Sequence, residues 1–129
     1  MKIIYWIAKI IAAVLMLQTL FFKFAGASES IYIFTTVHME PWGRYGVGTL
    51  ELVAAVTILL ESTAWLGALL TLGLMAGAIG MHLTILGIEV QGDHGQLFLY
   101  AVIIALAALY VLYVNRQKVR ASIASLTGK

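Results

Sequence analysis

The chain has 129 residues, of which 62% are hydrophobic and 11% are charged, and its mean hydropathy is +0.98. Soluble domains carry roughly 45–50% apolar and about 25% charged residues, so this composition excludes an ordinary water-soluble fold. The chain has no cysteine and a net charge of only +2, which excludes disulfides and thiolate metal sites and argues against nucleic acid as a partner. The composition therefore predicts a membrane protein whose first partner is the lipid bilayer.

Four apolar stretches follow one another along the chain. About 20 apolar residues cross a bilayer core, and the clearest run, between Glu61 and Glu89, contains no Asp, Glu, Lys or Arg. Open sheet edges are not tolerated in hydrocarbon, so the stretches predict an all-α integral membrane four-helix bundle. The predicted spans cover residues 3–25, 44–60, 64–87 and 95–114 within a single domain of residues 1–115, and a basic cytoplasmic tail of residues 116–129 follows.

The segment between the first two spans, residues 28–38, is too short and too polar to cross a membrane. Ile31, Phe34 and Val37 recur in it at helical spacing. We therefore expect a short interfacial helix here, after which Pro41 turns the chain toward the second span.

The basic residues predict the orientation of the chain, because Lys and Arg near span ends concentrate on the cytoplasmic side. With four spans, both termini lie on one side, and the basic residues concentrate there. We therefore expect cytoplasmic termini and a multi-pass protein of a cell membrane, of the bacterial inner-membrane type. The terminal side holds Lys2, Lys9, Arg116, Lys118, Arg120 and Lys129, whereas the opposite, outer side holds only Lys23 and Arg44.

The N-terminus has an alternative interpretation as a signal peptide, since Ala25-Gly-Ala27 resembles a small-residue cleavage site. Lys9 interrupts the apolar stretch, and Phe21-Phe-Lys-Phe24 places bulk and charge just before that site, so we favour a membrane span. We expect the Lys9 ammonium to reach the inner headgroups along its flexible stem.

Polar side chains within the spans are the informative ones. Glu51 lies seven residues after Arg44, which places it roughly 10 Å below the outer start of its span. A carboxylate at that depth needs a partner and should face the interior. The other three spans each place polar side chains at a similar depth. Together these residues form a candidate intramembrane polar site: Lys23, Glu51, His82, Gln96, Tyr100, Gln18 and Thr19.

Two interpretations of this polar layer stay open. In the first, Lys23 and Glu51 form a structural ion pair and His82 joins helices by hydrogen bonds. In the second, the layer lines a functional pocket that opens to the outer face, with the acidic loop from Glu89 to His94 at its entrance. No spacing of potential ligands resembles a known metal site, so we expect no bound metal.

A stripe of small residues follows one face of the third span. Gly73, Gly77 and Gly80 with Thr84 recur at helical spacing and include one GxxxG motif. The stripe predicts close packing on a neighbouring helix, or the contact surface of a homo-oligomer.

Short motifs along the chain resemble the DoxX family of small membrane proteins. They are Leu20-Phe-Phe-Lys-Phe-Ala-Gly26 at the end of the first span, Gly46-Val-Gly-Thr-Leu-Glu51-Leu early in the second, and Leu66-Gly-Ala-Leu leading to His82-Leu-Thr in the third. The resemblance implies a four-helix membrane bundle associated with redox systems. It also implies that Lys23 and Glu51 are the family's lysine and glutamate, although Leu20 and Phe21 stand where the family usually has a glycine.

Three functions fit these observations. The first is an accessory subunit of a membrane redox system that binds a quinone or another small amphiphile beside a partner oxidoreductase subunit, since the chain has no redox group of its own. The second is a small proton-coupled transporter that uses Glu51, against which Lys23 argues by holding that carboxylate charged. The third is a structural or assembly subunit without a ligand. No catalytic motif is present, so we expect no enzyme activity from the chain alone.

Overall fold

The structure is a computed structural model that describes residues 2–89, 92 and 95–126. These residues form six α-helices and no strand. A 3-10 turn, Glu61–Thr63, leads into α4, and a π-helical turn, His82–Leu86, follows it. The helices are α1 (Lys2–Ala25), α2 (Ser28–Thr36), α3 (Trp42–Leu59), α4 (Ala64–Met81), α5 (Gln96–Val114) and α6 (Arg116–Leu126).

Three helical stretches are long and apolar enough to cross a membrane: Ile3–Ala25, Ala64–Leu86 and Gln96–Val114. Only 17–22% of the residues in their most apolar windows are buried within the protein, so most of their apolar side chains face outward, as they would toward lipid. The three stretches are compatible with a membrane protein. The remaining long helix, α3, is not among them because Arg44 and Glu51 lower its hydropathy.

The four long helices contact one another in a closed order. α1 packs against α3 and α5, and α4 packs against the same two helices. The interior between them is built largely from small side chains, since eight of the fourteen buried apolar residues among those described are alanine. Small residues let helix backbones approach closely, which places the polar residues of different helices within reach of one another.

A close contact between α3 and α4 involves a glycine outside the predicted stripe. A Cβ atom on Gly67 of α4 would lie 2.4 Å from the backbone nitrogen of Ile58 in α3. The predicted packing of Gly73, Gly77 and Gly80 on a neighbouring helix of the same chain is wrong, because a Cβ atom at any of the three would meet nothing within 4 Å. Periodicity identifies a small-residue face but not the helix opposite it.

The two short helices flank the long ones. α2 occupies the region where we predicted a short helix, and it contacts α1, α3 and the π-helical turn. Phe34 and Ser30 are its buried residues. At the other end of the molecule the polar tail forms α6, which has no buried residue.

Candidate functional site

An ion pair between α1 and α3 lies at the centre of the candidate site. Lys23 Nζ is 2.8 Å from Glu51 Oε1, and the Thr19 hydroxyl donates a hydrogen bond to Glu51 Oε2 over 3.0 Å. Thr19 and Lys23 are four residues apart and therefore share a face of α1. Glu51 is only 2% exposed, whereas the Lys23 side chain is 16% exposed. Glu51 Oε2 thus accepts a hydrogen bond, whereas Oε1 is held by the ion pair alone, and the Lys23 side chain is the more accessible half of the pair.

A second contact holds Lys23 through its backbone. The Arg44 guanidinium donates from Nη1 to the carbonyl oxygen of Lys23 and from Nε to both carboxylate oxygens of Glu40, over 2.7 and 3.0 Å. The last carbonyls of a helix lack partners within it, so Arg44 satisfies one at the end of α1. Arg44 and Glu51 are seven residues apart, on the same face of α3. That face therefore positions both the backbone and the side chain of Lys23.

Sequence analysis missed this role of Arg44, which it treated as a residue at the outer end of a span. The four-residue spacing of Glu40 and Arg44 is typical of an ion pair between those two residues, but the contact with the Lys23 carbonyl depends on how α1 ends beside α3. Arg44 is buried, and its guanidinium also lies 4.5 Å from the ring centre of Tyr45. The Tyr45 ring in turn stacks on Phe24, with ring centres 6.1 Å apart.

His82 begins the π-helical turn after α4 and is buried. Its Nδ1 lies 2.9 Å from the carbonyl oxygen of Gly87, and its ring meets the edge of Phe98 with ring centres 5.6 Å apart. Gly87 has a φ of +80°, which glycine adopts without strain and which turns the chain back toward the ring. Turns of this type are frequent at functional sites, and here the turn orients the imidazole.

Gln96 and Tyr100 occupy the first turns of α5, and the Gln96 amide donates a hydrogen bond to the Tyr100 hydroxyl. The predicted entrance loop falls mainly on residues 90, 91, 93 and 94, which lie outside the described residues.

One cavity of about 440 Å³ joins these groups. All seven predicted site residues line it, and they come from three helices (α1, α3 and α5) and the π-helical turn: Gln18, Thr19, Lys23, Glu51, His82, Gln96 and Tyr100. Small-molecule sites usually measure about 300–1,000 Å³, so the volume suits a small ligand.

The rest of the cavity wall is mostly apolar. Phe22, Phe34 and Met81 contribute side chains, and the backbone of α4 is exposed to the cavity at Gly73 and Gly77. Two glycines of the predicted stripe, Gly73 and Gly77, therefore provide space in the cavity instead of helix contact. Because glycine has no side chain, a larger residue at Gly73 or Gly77 would extend into the cavity and reduce its volume.

The formal charge of the described lining is −1 when His82 is neutral. Lys23 contributes one positive charge, and Glu51 and Glu29 contribute two negative charges. Arg44 does not line the cavity and is paired with Glu40. The cavity therefore offers no surplus of positive charge to an anionic ligand.

Lys9, the other lysine inside the first predicted span, is far along α1 from this cavity and is fully buried. The residue is 0% exposed, and its Nζ lies 3.9 Å from a ring centre of Trp6 and 4.9 Å from that of Tyr5. Among the described residues Nζ has no hydrogen-bond partner. The structure thus differs from the expected position at the headgroups, because Lys9 shares its helix face with the fully buried Ala12 and Met16.

Comparison of the chain with protein-family models, with curated proteins and with solved structures finds no match.

Proposed function

We propose that the chain is a multi-pass protein of a cell membrane of the bacterial inner-membrane type. In this proposal α1, α3, α4 and α5 form a transmembrane four-helix bundle with both termini in the cytoplasm. Its function is to bind a neutral amphiphile of the quinone class in the cavity, as an accessory subunit beside a partner oxidoreductase. The motifs that resemble the DoxX family agree with this assignment.

The observation that carries the proposal is an ion pair in the wall of a mostly apolar cavity. Removing two charges from water is costly, and an apolar pair of similar volume often serves stability as well. A buried charged pair is therefore better explained by what it offers a ligand. The Lys23 ammonium has three donors and forms an ion pair with one oxygen, Glu51 Oε1, and the side chain keeps 16% of its surface exposed. The remaining donors suit a carbonyl or hydroxyl oxygen of a bound head group.

The charge balance of the cavity favours a neutral head group. An anionic head group would meet Glu51 and Glu29 against the single positive charge of Lys23. A neutral aromatic ring with oxygen substituents matches both the apolar wall and the free donors, and an attached hydrocarbon chain would extend toward lipid. Since the chain has no cysteine, it supplies no thiol redox group, and electron transfer would depend on the bound quinone and the partner subunit.

The ion-pair distance argues against the proton-coupled transporter. Such a carboxylate has to exchange between a proton and a cationic substrate, and Glu51 has one oxygen 2.8 Å from Lys23 and the other on Thr19. The Lys23 ammonium also repels a cationic substrate from that carboxylate.

The proposal is tested by filling the cavity from the glycine wall. The protein is purified in detergent, bound quinone is extracted and quantified by chromatography, and a short-chain quinone is titrated while tryptophan fluorescence is followed. Gly77→Leu places a side chain in the cavity, and we expect it to lower quinone retention and affinity at least tenfold. Gly80→Leu is the matched control, because Gly80 has equal space for a Cβ atom and does not line the cavity.

The outcomes separate the three candidate functions. Quinone binding that is lost in Gly77→Leu and kept in Gly80→Leu supports the proposal. Wild-type protein that neither retains nor binds a quinone contradicts it and favours the assembly subunit. Cation efflux from proteoliposomes that stops in Glu51→Gln would instead favour the transporter.

A further inference from the structure

The hydrogen bond of His82 fixes which ring nitrogen carries the proton. Nδ1 lies 2.9 Å from the carbonyl oxygen of Gly87, and a carbonyl oxygen only accepts hydrogen bonds, so Nδ1 must be the donor. A neutral imidazole carries one proton, and its other nitrogen is then an acceptor. The structure thus leaves Nε2 of the neutral ring as a hydrogen-bond acceptor.

The surroundings of His82 hold this ring in place. The residue is 5% exposed, the edge of Phe98 packs on the ring at an angle of 74°, and the π-helical turn places Gly87 back over Nδ1. Among the described residues Nε2 has no hydrogen-bond partner, although His82 lines the cavity. Nε2 is not among the described polar atoms that are fully buried without a partner, so it keeps accessible surface, and a hydroxyl group of a molecule bound in the cavity can donate a hydrogen bond to it.

We infer that the cavity selects the hydroxyl-bearing, reduced form of its ligand, a hydroquinone, with His82 Nε2 accepting a hydrogen bond from one ring hydroxyl. This inference rests on the proposed function and names the ligand class more narrowly. A quinone carbonyl has no proton to donate to Nε2, whereas a hydroquinone has two hydroxyl groups. The second hydroxyl oxygen accepts from the Lys23 ammonium, whose spare donors line the same cavity.

The experiment compares three ligands that share one ring. A short-chain hydroquinone, the corresponding quinone and the hydroquinone dimethyl ether are titrated into the protein in nanodiscs, without oxygen, at pH 8. We expect the hydroquinone to bind about tenfold more tightly than the other two, which corresponds to one hydrogen bond of roughly 1.4 kcal/mol.

The variant His82→Phe removes the acceptor and keeps an aromatic ring. We expect it to bind the hydroquinone about tenfold more weakly, with unchanged affinity for the quinone and the ether. His38→Asn is the matched control, because His38 is exposed, does not line the cavity, and has a φ of +63° that asparagine tolerates.

Nitrogen NMR of the three histidines provides a readout that does not depend on a folded variant. We expect His82 to show a protonated Nδ1 and an unprotonated Nε2, with the Nε2 signal moving on addition of hydroquinone and not of the ether. Equal affinity for quinone and hydroquinone in the wild-type protein, or a preference that persists in His82→Phe, would overturn the inference while leaving quinone binding intact. Failure of all three ligands to bind would overturn the proposed function with it.

Discussion

Replacing either residue of the Lys23–Glu51 ion pair should lower the free energy of unfolding, but by different amounts. Lys23→Met leaves the Glu51 carboxylate, which is 2% exposed, with only the Thr19 hydroxyl as a partner. Removing one partner from a buried pair typically costs about 3–5 kcal/mol, because the other charge stays buried. We therefore expect Lys23→Met to lower the free energy of unfolding by about that amount.

Glu51→Gln should cost less, because the surviving charge is the more accessible one. The Lys23 side chain is 16% exposed and lines the cavity, so its ammonium can be solvated in place. The Lys23 carbonyl oxygen also keeps its contact with Arg44. The loss is then that of a hydrogen bond to a charged group, about 1.5–3 kcal/mol.

The double variant, Lys23→Met with Glu51→Gln, leaves no buried charge behind. We expect it to be about as stable as Glu51→Gln alone, so the coupling energy equals the cost of Lys23→Met, about 3–5 kcal/mol, at or above the upper end of the usual range for contacting residues.

The assay is reversible unfolding in mixed micelles by titration with SDS, followed by circular dichroism at pH 7. Lys118→Met serves as the control, since Lys118 is exposed and makes only a 3.5 Å contact with the Glu61 carbonyl; it should change stability by less than about 0.5 kcal/mol. Strictly additive losses in the double variant, or a Lys23→Met variant as stable as the wild type, would refute the reasoning from burial.

Two further predictions concern the helix interior. Gly67→Ala should lower the free energy of unfolding by about 2 kcal/mol or more, because its Cβ atom would lie 2.4 Å from the Ile58 nitrogen, whereas Gly80→Ala should stabilise α4 by up to about 1 kcal/mol. Equal effects of the two in the same unfolding assay would contradict the packing described. Lys9→Met should raise stability by about 1–4 kcal/mol, since it removes a fully buried charge without a hydrogen bond; a less stable variant would show that the contact with Trp6 outweighs that burial.

The polar layer shows how far sequence reasoning reaches. Hydropathy and span length are enough to estimate the depth of Glu51, Lys23 and His82, because rise per residue in a helix is constant. Equal depth is also the condition for meeting in space, and these residues do line one cavity. The contact between Lys23 and Glu51, by contrast, depends on α1 packing beside α3. The pattern of residues within one helix does not predict which helix packs beside it.

Lys9 and the glycines show where such reasoning ends. A lysine near a span end can reach either headgroups or the interior, and the choice depends on which face meets a neighbouring helix. Lys9 lies on the same helix face as Ala12 and Met16, both 0% exposed, so its side chain is buried among the helices. In the same way Gly67 meets a backbone while Gly77 lines a cavity, although both are glycines of one helix.

Composition and periodicity by themselves determined that this chain is helical and apolar enough for a membrane, and how far along each helix its few polar side chains lie. These properties depend on local quantities, which are the transfer free energy of each residue and the geometry of one helix. Tertiary structure alone decided that Arg44 holds the carbonyl of Lys23, that Lys9 is enclosed, and that His82 turns Nδ1 to Gly87. Each of these depends on how helices and turns face one another, and that arrangement is set by packing over the whole chain.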